Sequence, residues 1–205
     1  MSHASLIVAL DGDLSPDAIH DAVAYQMLPF DEDGQWFADG SRWDWWVIGG
    51  RYSGLFAGRD VILRRDLDLT DVSVARRRKW ADIYAEAMAS ESPHRNFLYG
   101  IKDGDTDVNA FLERRETEEG PLCAFAFLRN RVWHESSRMG WFGDDVKTEC
   151  EIAAPDADTH ICIHEKDGAK IVSWGKSEYF APRFYSRFIK RLPPETALVC
   201  VDYHV

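Results

Sequence analysis

Apolar positions along the chain fall into short runs whose spacing switches between two residues and three to four, as strands interleaved with helices require. Ser5-Leu6-Ile7-Val8-Ala9-Leu10 carries no charge and reads as a buried strand. Asp11-Gly12-Asp13 turns the chain. Ser15-Pro16-Asp17 then has the marks of a helix start: a capping hydroxyl, a proline in the first turn and an acid at the positive end of the dipole. Ile19, Ala22, Val23 and Met27 share one helical face, and Pro29 ends that helix. Residues 60–64 predict a strand. From about residue 72 to 90 the spacing of Trp80, Ile83, Tyr84 and Ala87 predicts a helix, closed by Ser92-Pro93. Val108, Phe111 and Leu112 mark a shorter one.

The second half is richer in strand patterns. Residues 122–128 and 131–134 predict a hairpin about Arg129-Asn130. His160-Ile161-Cys162-Ile163-His164 alternates strictly, Asp167-Gly168 is a tight-turn signal, and residues 170–174 form the return strand. Ser177 caps a helix with Phe180, Phe184, Phe188, Ile189 and Leu192 on one side, in which Pro182 is tolerable only in the first turn. Pro193-Pro194 stops it, and residues 197–204 form a last strand. With no steady βαβ rhythm, the expected class is α+β: a mixed, largely antiparallel sheet with about four helices packed on it. A chain of 205 residues fits a single domain, 1–205, with a divergent insertion at 149–176.

Residues 29–58 fit neither period. Glycines exclude a regular helix and the aromatic load excludes a flexible linker, so an ordered loop packed by its own rings is expected. Four of the 8 tryptophans, Trp36, Trp43, Trp45 and Trp46, lie in this loop.

Composition narrows the function classes. The formal charge is −11, with 24 basic against 35 acidic residues, which disfavours direct nucleic-acid binding and a membrane surface. No apolar run reaches the roughly 20 residues a membrane helix needs. Met1-Ser2-His3-Ala4 lacks the basic and apolar stretches of a secretory signal. The four cysteines (Cys123, Cys150, Cys162, Cys200) include no Cys-x-x-Cys pair and suit reduced thiols in a cytoplasmic protein.

The densest candidate chemistry is Trp43-Asp44-Trp45-Trp46-Val47-Ile48-Gly49-Gly50-Arg51-Tyr52. Gly49 and Gly50 can adopt positive φ and aim N–H groups at an anion, Arg51 offers a planar fork for carboxylate or phosphate, and Trp43 and Trp45 can wall a pocket. The competing structural reading has Asp44 paired with Arg51 and the rings filling the loop. Neither a Walker nor a Rossmann spacing is present. On the last strand Cys200, Asp202 and His204 share a face, and on the alternating strand His160, Cys162 and His164 do. Both sets contain metal-ligand types, of which His160, Cys162 and His164 are weak candidates. No Gly-x-Ser-x-Gly nucleophile is present. Asp103-Gly104-Asp105-Thr106-Asp107 only faintly resembles a calcium loop, and Arg76-Arg77-Arg78-Lys79 reads mainly as a solvated helix face.

Four motifs in order give the chain a resemblance to a family of uncharacterised phage and prophage proteins. They are Leu28-Pro29-Phe30-Asp31-Glu32; Trp43-Asp44-Trp45-Trp46 with Gly49-Gly50-Arg51; Met139-Gly140-Trp141-Phe142-Gly143; and Val201-Asp202-Tyr203-His204-Val205. The resemblance implies a phage context and action in the host cytoplasm, and names no reaction or cofactor. If the motifs gather in space, Asp31, Glu32, Asp44, Arg51, Trp141, Asp202 and His204 form one polar, aromatic-walled cleft. The expected function is then binding of a small anionic molecule or peptide through an Arg-aromatic pocket. Two alternatives stand beside it: an inhibitor of a host defence protein acting through its acidic surface, and a carboxylate/His hydrolase, with or without a metal.

Overall fold

The computed structural model describes residues 3–12, 14–31, 42–136, 160–166, 168–174 and 177–204. They form an eight-stranded mixed sheet flanked by helices, an α+β fold. Strands β1 (His3–Leu10), β2 (Trp45–Ile48), β3 (Val61–Leu63), β4 (Ala126–Arg129), β5 (Val132–Ser136), β6 (His160–Lys166), β7 (Ala169–Trp174) and β8 (Ala197–His204) lie in the order β2-β8-β1-β4-β5-β7-β6. β3 also pairs with β8. Only β1 with β4 and β5 with β7 run parallel; the other pairings are antiparallel.

The central strands β1 and β8 are buried along almost their whole length because both faces are covered. On one face Leu6, Val8, Val199, Val201 and Trp133 meet helix α1 (Pro16–Met27) through Ile19, Val23 and Met27. That helix begins as its sequence requires, the Ser15 hydroxyl accepting the Ala18 N–H. On the other face Ile7, Ala9, Phe127, Leu198 and Cys200 meet Val72 of α2 (Leu69–Ala89) and Phe180 and Phe184 of α5 (Ser177–Phe184). Trp80 of α2 packs with Phe111 and Leu112 of α4 (Val108–Glu119), and a five-residue helix, α3 (Arg95–Tyr99), joins them. Among the described residues no helix is long and apolar enough to cross a membrane.

Two expectations change. The tryptophan segment is not wholly loop: residues 45–48 form β2, since Trp46 and Ile48 find buried partners on the α1 face while Trp45 and Val47 point the other way. Pro182 lies six residues into α5, beyond the first turn, and the chain continues as a π-helical turn (Tyr185–Ile189) whose Lys190 N–H reaches back to the Tyr185 carbonyl. The segment expected as an insertion supplies β6 and β7, which extend the sheet beyond β5.

β2 and β3 lie end to end along the same edge of β8, pairing with residues 201–204 and 197–199. Cys200 bridges the gap: its carbonyl accepts the Gly49 N–H and its N–H donates to the Asp60 carbonyl. The chain therefore leaves the sheet at Gly49 and returns at Asp60, and between them Tyr52, Leu55 and Phe56 fold over the α5 face.

A paired histidine–aspartate site at the end of the sheet

At the open end of the α5 face the register sets two rungs side by side. His3 on β1 opposes His204 on β8, which opposes Trp45 on β2; one rung inward, Ser5, Asp202 and Val47 oppose one another. Directly opposed residues share a face, so these side chains project together. The His3 and His204 rings meet edge to face with centroids 5.3 Å apart, and Trp45 stands edge-on to His3 at 6.0 Å.

Each imidazole is fixed by a different carboxylate. His3 Nδ1 lies 2.9 Å from Asp202 Oδ1, and His204 Nδ1 lies 2.6 Å from Asp44 Oδ1. A carboxylate only accepts, so each Nδ1 carries the proton, and among the described residues neither Nε2 makes a hydrogen bond; the His3 and His204 side chains are 19% and 12% exposed. The carboxylates differ: the Asp202 side chain is 2% exposed and that of Asp44 42%. Asp202 also accepts the Arg51 N–H at 2.9 Å.

The double glycine is what admits these carboxylates. Gly49 and Gly50 sit at φ 77° and 55°, and a Cβ on either would come within 2.5 Å of the Asp60 or Asp202 side chain respectively. Asp60 in turn accepts from Ser53 Oγ–H and the Gly54 N–H, at 2.9 and 2.7 Å. The bend does present an N–H to an anion, as its sequence suggests, and that anion is the chain's own Asp202. Asp44 holds His204, not Arg51, and Arg51 enters through its main chain with an exposed side chain.

Tyr52 closes the floor, its hydroxyl donating to the His3 carbonyl at 3.0 Å. Burial, then the negative charge of Asp202, pushes that phenol up to about 12, so it stays a neutral donor. Burial, with Asp60 and Asp202 beside it, likewise raises the Cys200 thiol to about 12. Cys200 therefore shares the face of Asp202 and His204 as predicted, as a buried, un-ionised thiol that donates to the Tyr52 carbonyl.

Not every predicted member gathers here. Trp43 packs against the α1-side core and donates its Nε1–H to the Met27 carbonyl at 3.0 Å, so it is no wall of this site. Asp31 bridges to Trp43 and belongs with it. Glu32 and Trp141 lie outside the described residues. The pairing register of β6 shifts between His160 and Cys162, which takes His160 out of step, while Cys162 and His164 keep the two-residue register. Among the described residues no group of three or more His, Cys, Asp or Glu could hold a metal. The faint calcium loop is also otherwise employed: Asp105 accepts two bonds from Arg114, at 2.8 and 2.7 Å, while Asp107 caps α4. The hydrogen bonds from Arg114 hold the Asp105 carboxyl below the usual range. Within the basic run, Arg76 stacks on Trp80 and Arg77 pairs with Glu116 of α4.

His3 is the member that sequence reasoning missed. Its signal was the two-residue alternation His3, Ser5 at the head of an apolar strand, which places it on one face with Ile7. Comparison with family models, curated proteins and solved structures finds no match to this chain.

Proposed function

We propose that the protein binds a small anionic molecule at the open end of the sheet, held by His3, His204 and Arg51 against Trp45. The observation that carries this reading is the pair of imidazoles, each with Nδ1 committed to its own carboxylate and Nε2 uncommitted, with rings 5.3 Å apart. An imidazole locked by a carboxylate keeps its outward nitrogen aimed without losing rotamer freedom on binding. Arg51, whose N–H bonds the Asp202 that holds His3, has an exposed side chain, and a guanidinium suits a carboxylate or phosphate bidentately. Trp45, 48% exposed, offers a flat wall for an aromatic or sugar portion.

Calorimetric titration with inorganic phosphate and with adenosine monophosphate tests this. Saturable binding is expected, tighter for the nucleotide because of Trp45. Arg51→Ala is expected to weaken both about tenfold or more, the loss of one charge-assisted bidentate contact. Heat absent for both anions, or unchanged in the Arg51 variant, contradicts the reading.

A further inference from the structure

We propose that the same two imidazoles form a proton acceptor and donor pair that hydrolyses small phosphodiesters carrying an aromatic or nucleoside arm. This rests on the anion-binding reading above and goes beyond it to a reaction.

The two histidine–carboxylate pairs are not equivalent. Asp202 is buried and divides its acceptor capacity between His3 and the Arg51 N–H. Asp44 faces water and, among the described residues, accepts from His204 alone, at the shorter distance of 2.6 Å. With each ring held through Nδ1 on its own carboxylate, one Nε2 can take a proton while the other gives one, and His3 is assigned the acceptor role and His204 the donor role. Two titratable groups in unlike settings, with rings in contact, are what paired acid and base catalysis needs.

The surroundings name the substrate class. Arg51 can neutralise the non-bridging oxygens of a phosphoryl group, where charge builds as the reaction proceeds. Trp45, Val47 and Phe125 are 48%, 37% and 49% exposed along this end of the sheet, Phe125 being tied there by its N–H to the Ser5 hydroxyl. Such a shelf accepts an aromatic ring or a base by stacking. The net charge of −11 opposes a long polyanion and favours a small diester.

In the step, His3 Nε2 takes a proton from a water molecule as the water oxygen bonds to phosphorus. The bond from phosphorus to the ester oxygen breaks, and that oxygen takes the proton of His204 Nε2. A phosphate monoester and an alcohol leave, His3 has gained a proton and His204 has lost one, and exchange with solvent restores both.

The test uses the full chain with bis(4-nitrophenyl) phosphate and 3′,5′-cyclic adenosine monophosphate, beside the phosphate titration. Expected are turnover of at least one diester, a rate that falls on both sides of a pH optimum, and a kcat lowered about 100-fold or more in His3→Gln and in His204→Gln. Each variant should keep the parent's far-UV circular dichroism and a cooperative thermal unfolding transition, which shows that it is folded. Phosphate binding without hydrolysis of either diester overturns this inference and leaves the binding reading standing. Hydrolysis untouched by both substitutions, or abolished by exhaustive chelation, also overturns it. Failure of phosphate itself to bind removes both.

Discussion

Glu135 on the α1 face of the sheet and the two histidine–aspartate pairs on the opposite face use similar groups to different ends. Glu135 accepts two bonds from Arg42 (2.8 and 2.7 Å), one from Trp133 Nε1–H (3.1 Å) and one from the Ser173 hydroxyl (3.4 Å). Both side chains of the ion pair are nearly buried, 13% and 7% exposed. Every acceptor position of that carboxylate is filled from within, which is how a buried charge is tolerated. The histidine pairs stop halfway: each ring has one nitrogen satisfied and the other available. A closed network of this kind serves the fold, and an open one with the same groups is equipped to meet something else. If that contrast is sound, stability and ligand response separate between the two faces.

The largest effect is expected at the closed network. Glu135→Ala removes the carboxylate that the nearly buried Arg42 guanidinium bonds twice and should cost about 3 to 5 kcal/mol in urea unfolding. A cost below about 1 kcal/mol would erase the contrast, because it would place Glu135 among ordinary surface pairs.

A second effect concerns acid. His134, on the α5 face among Phe127, Trp174 and Phe188, accepts the Trp174 Nε1–H at 2.9 Å through Nδ1. Burial, with Arg187 adding its positive charge, depresses this imidazole to about 4. The unfolded chain takes up that proton near pH 6.5 and the folded chain only near 4, so the unfolded state binds more protons in between. Stability should fall as pH drops through that window, by on the order of 3 kcal/mol, and level off below it. His134→Gln, which keeps an acceptor for Trp174, should flatten the slope; an unchanged pH profile would show that the proton is taken up elsewhere.

At the bend the expected effect is smaller. Gly50→Ala must hold a side chain at φ 55° while displacing Asp202, and should cost about 2 kcal/mol in thermal or chemical unfolding. It should also loosen His3, whose ring leans on that carboxylate. Wild-type stability in this variant would mean that the close approach of Gly50 and Asp202 is not required.

The smallest effect belongs to the open pair. Asp44→Asn should change unfolding free energy by less than about 1 kcal/mol, since Asp44 is half-exposed. A loss as large as that at Glu135 would make the site structural.

The parts legible in the sequence are those set locally. The Ser15-Pro16-Asp17 start gave α1 its cap, apolar runs placed β1 and β8, and the hairpin expected about Arg129-Asn130 turns one residue later, at Asn130 and Arg131, both at positive φ. Alternation on the last strand also set Asp202 and His204 on one face. What stayed hidden is set by partners far along the chain. β2 is a strand because residues 201–204 are there to receive it, which no spacing within a glycine- and tryptophan-rich segment announces. Arg42 and Glu135 are 93 positions apart, and His3 and Asp202 are 199 apart. The glycines were rightly singled out as a place of close approach, but the group that approaches is a carboxylate from the far end of the chain. The bulge in β6 left no mark in an otherwise regular alternation.

Two of the seven histidines, His3 and His204, are proposed to capture the ligand, and histidine ring resonances followed by NMR during a phosphate titration test that most directly. The prediction is that the His3 and His204 signals move together and saturate at one phosphate per chain while the buried His134 signal stays in place. Movement of other histidines with these two unchanged, or no saturable movement at all, would contradict it.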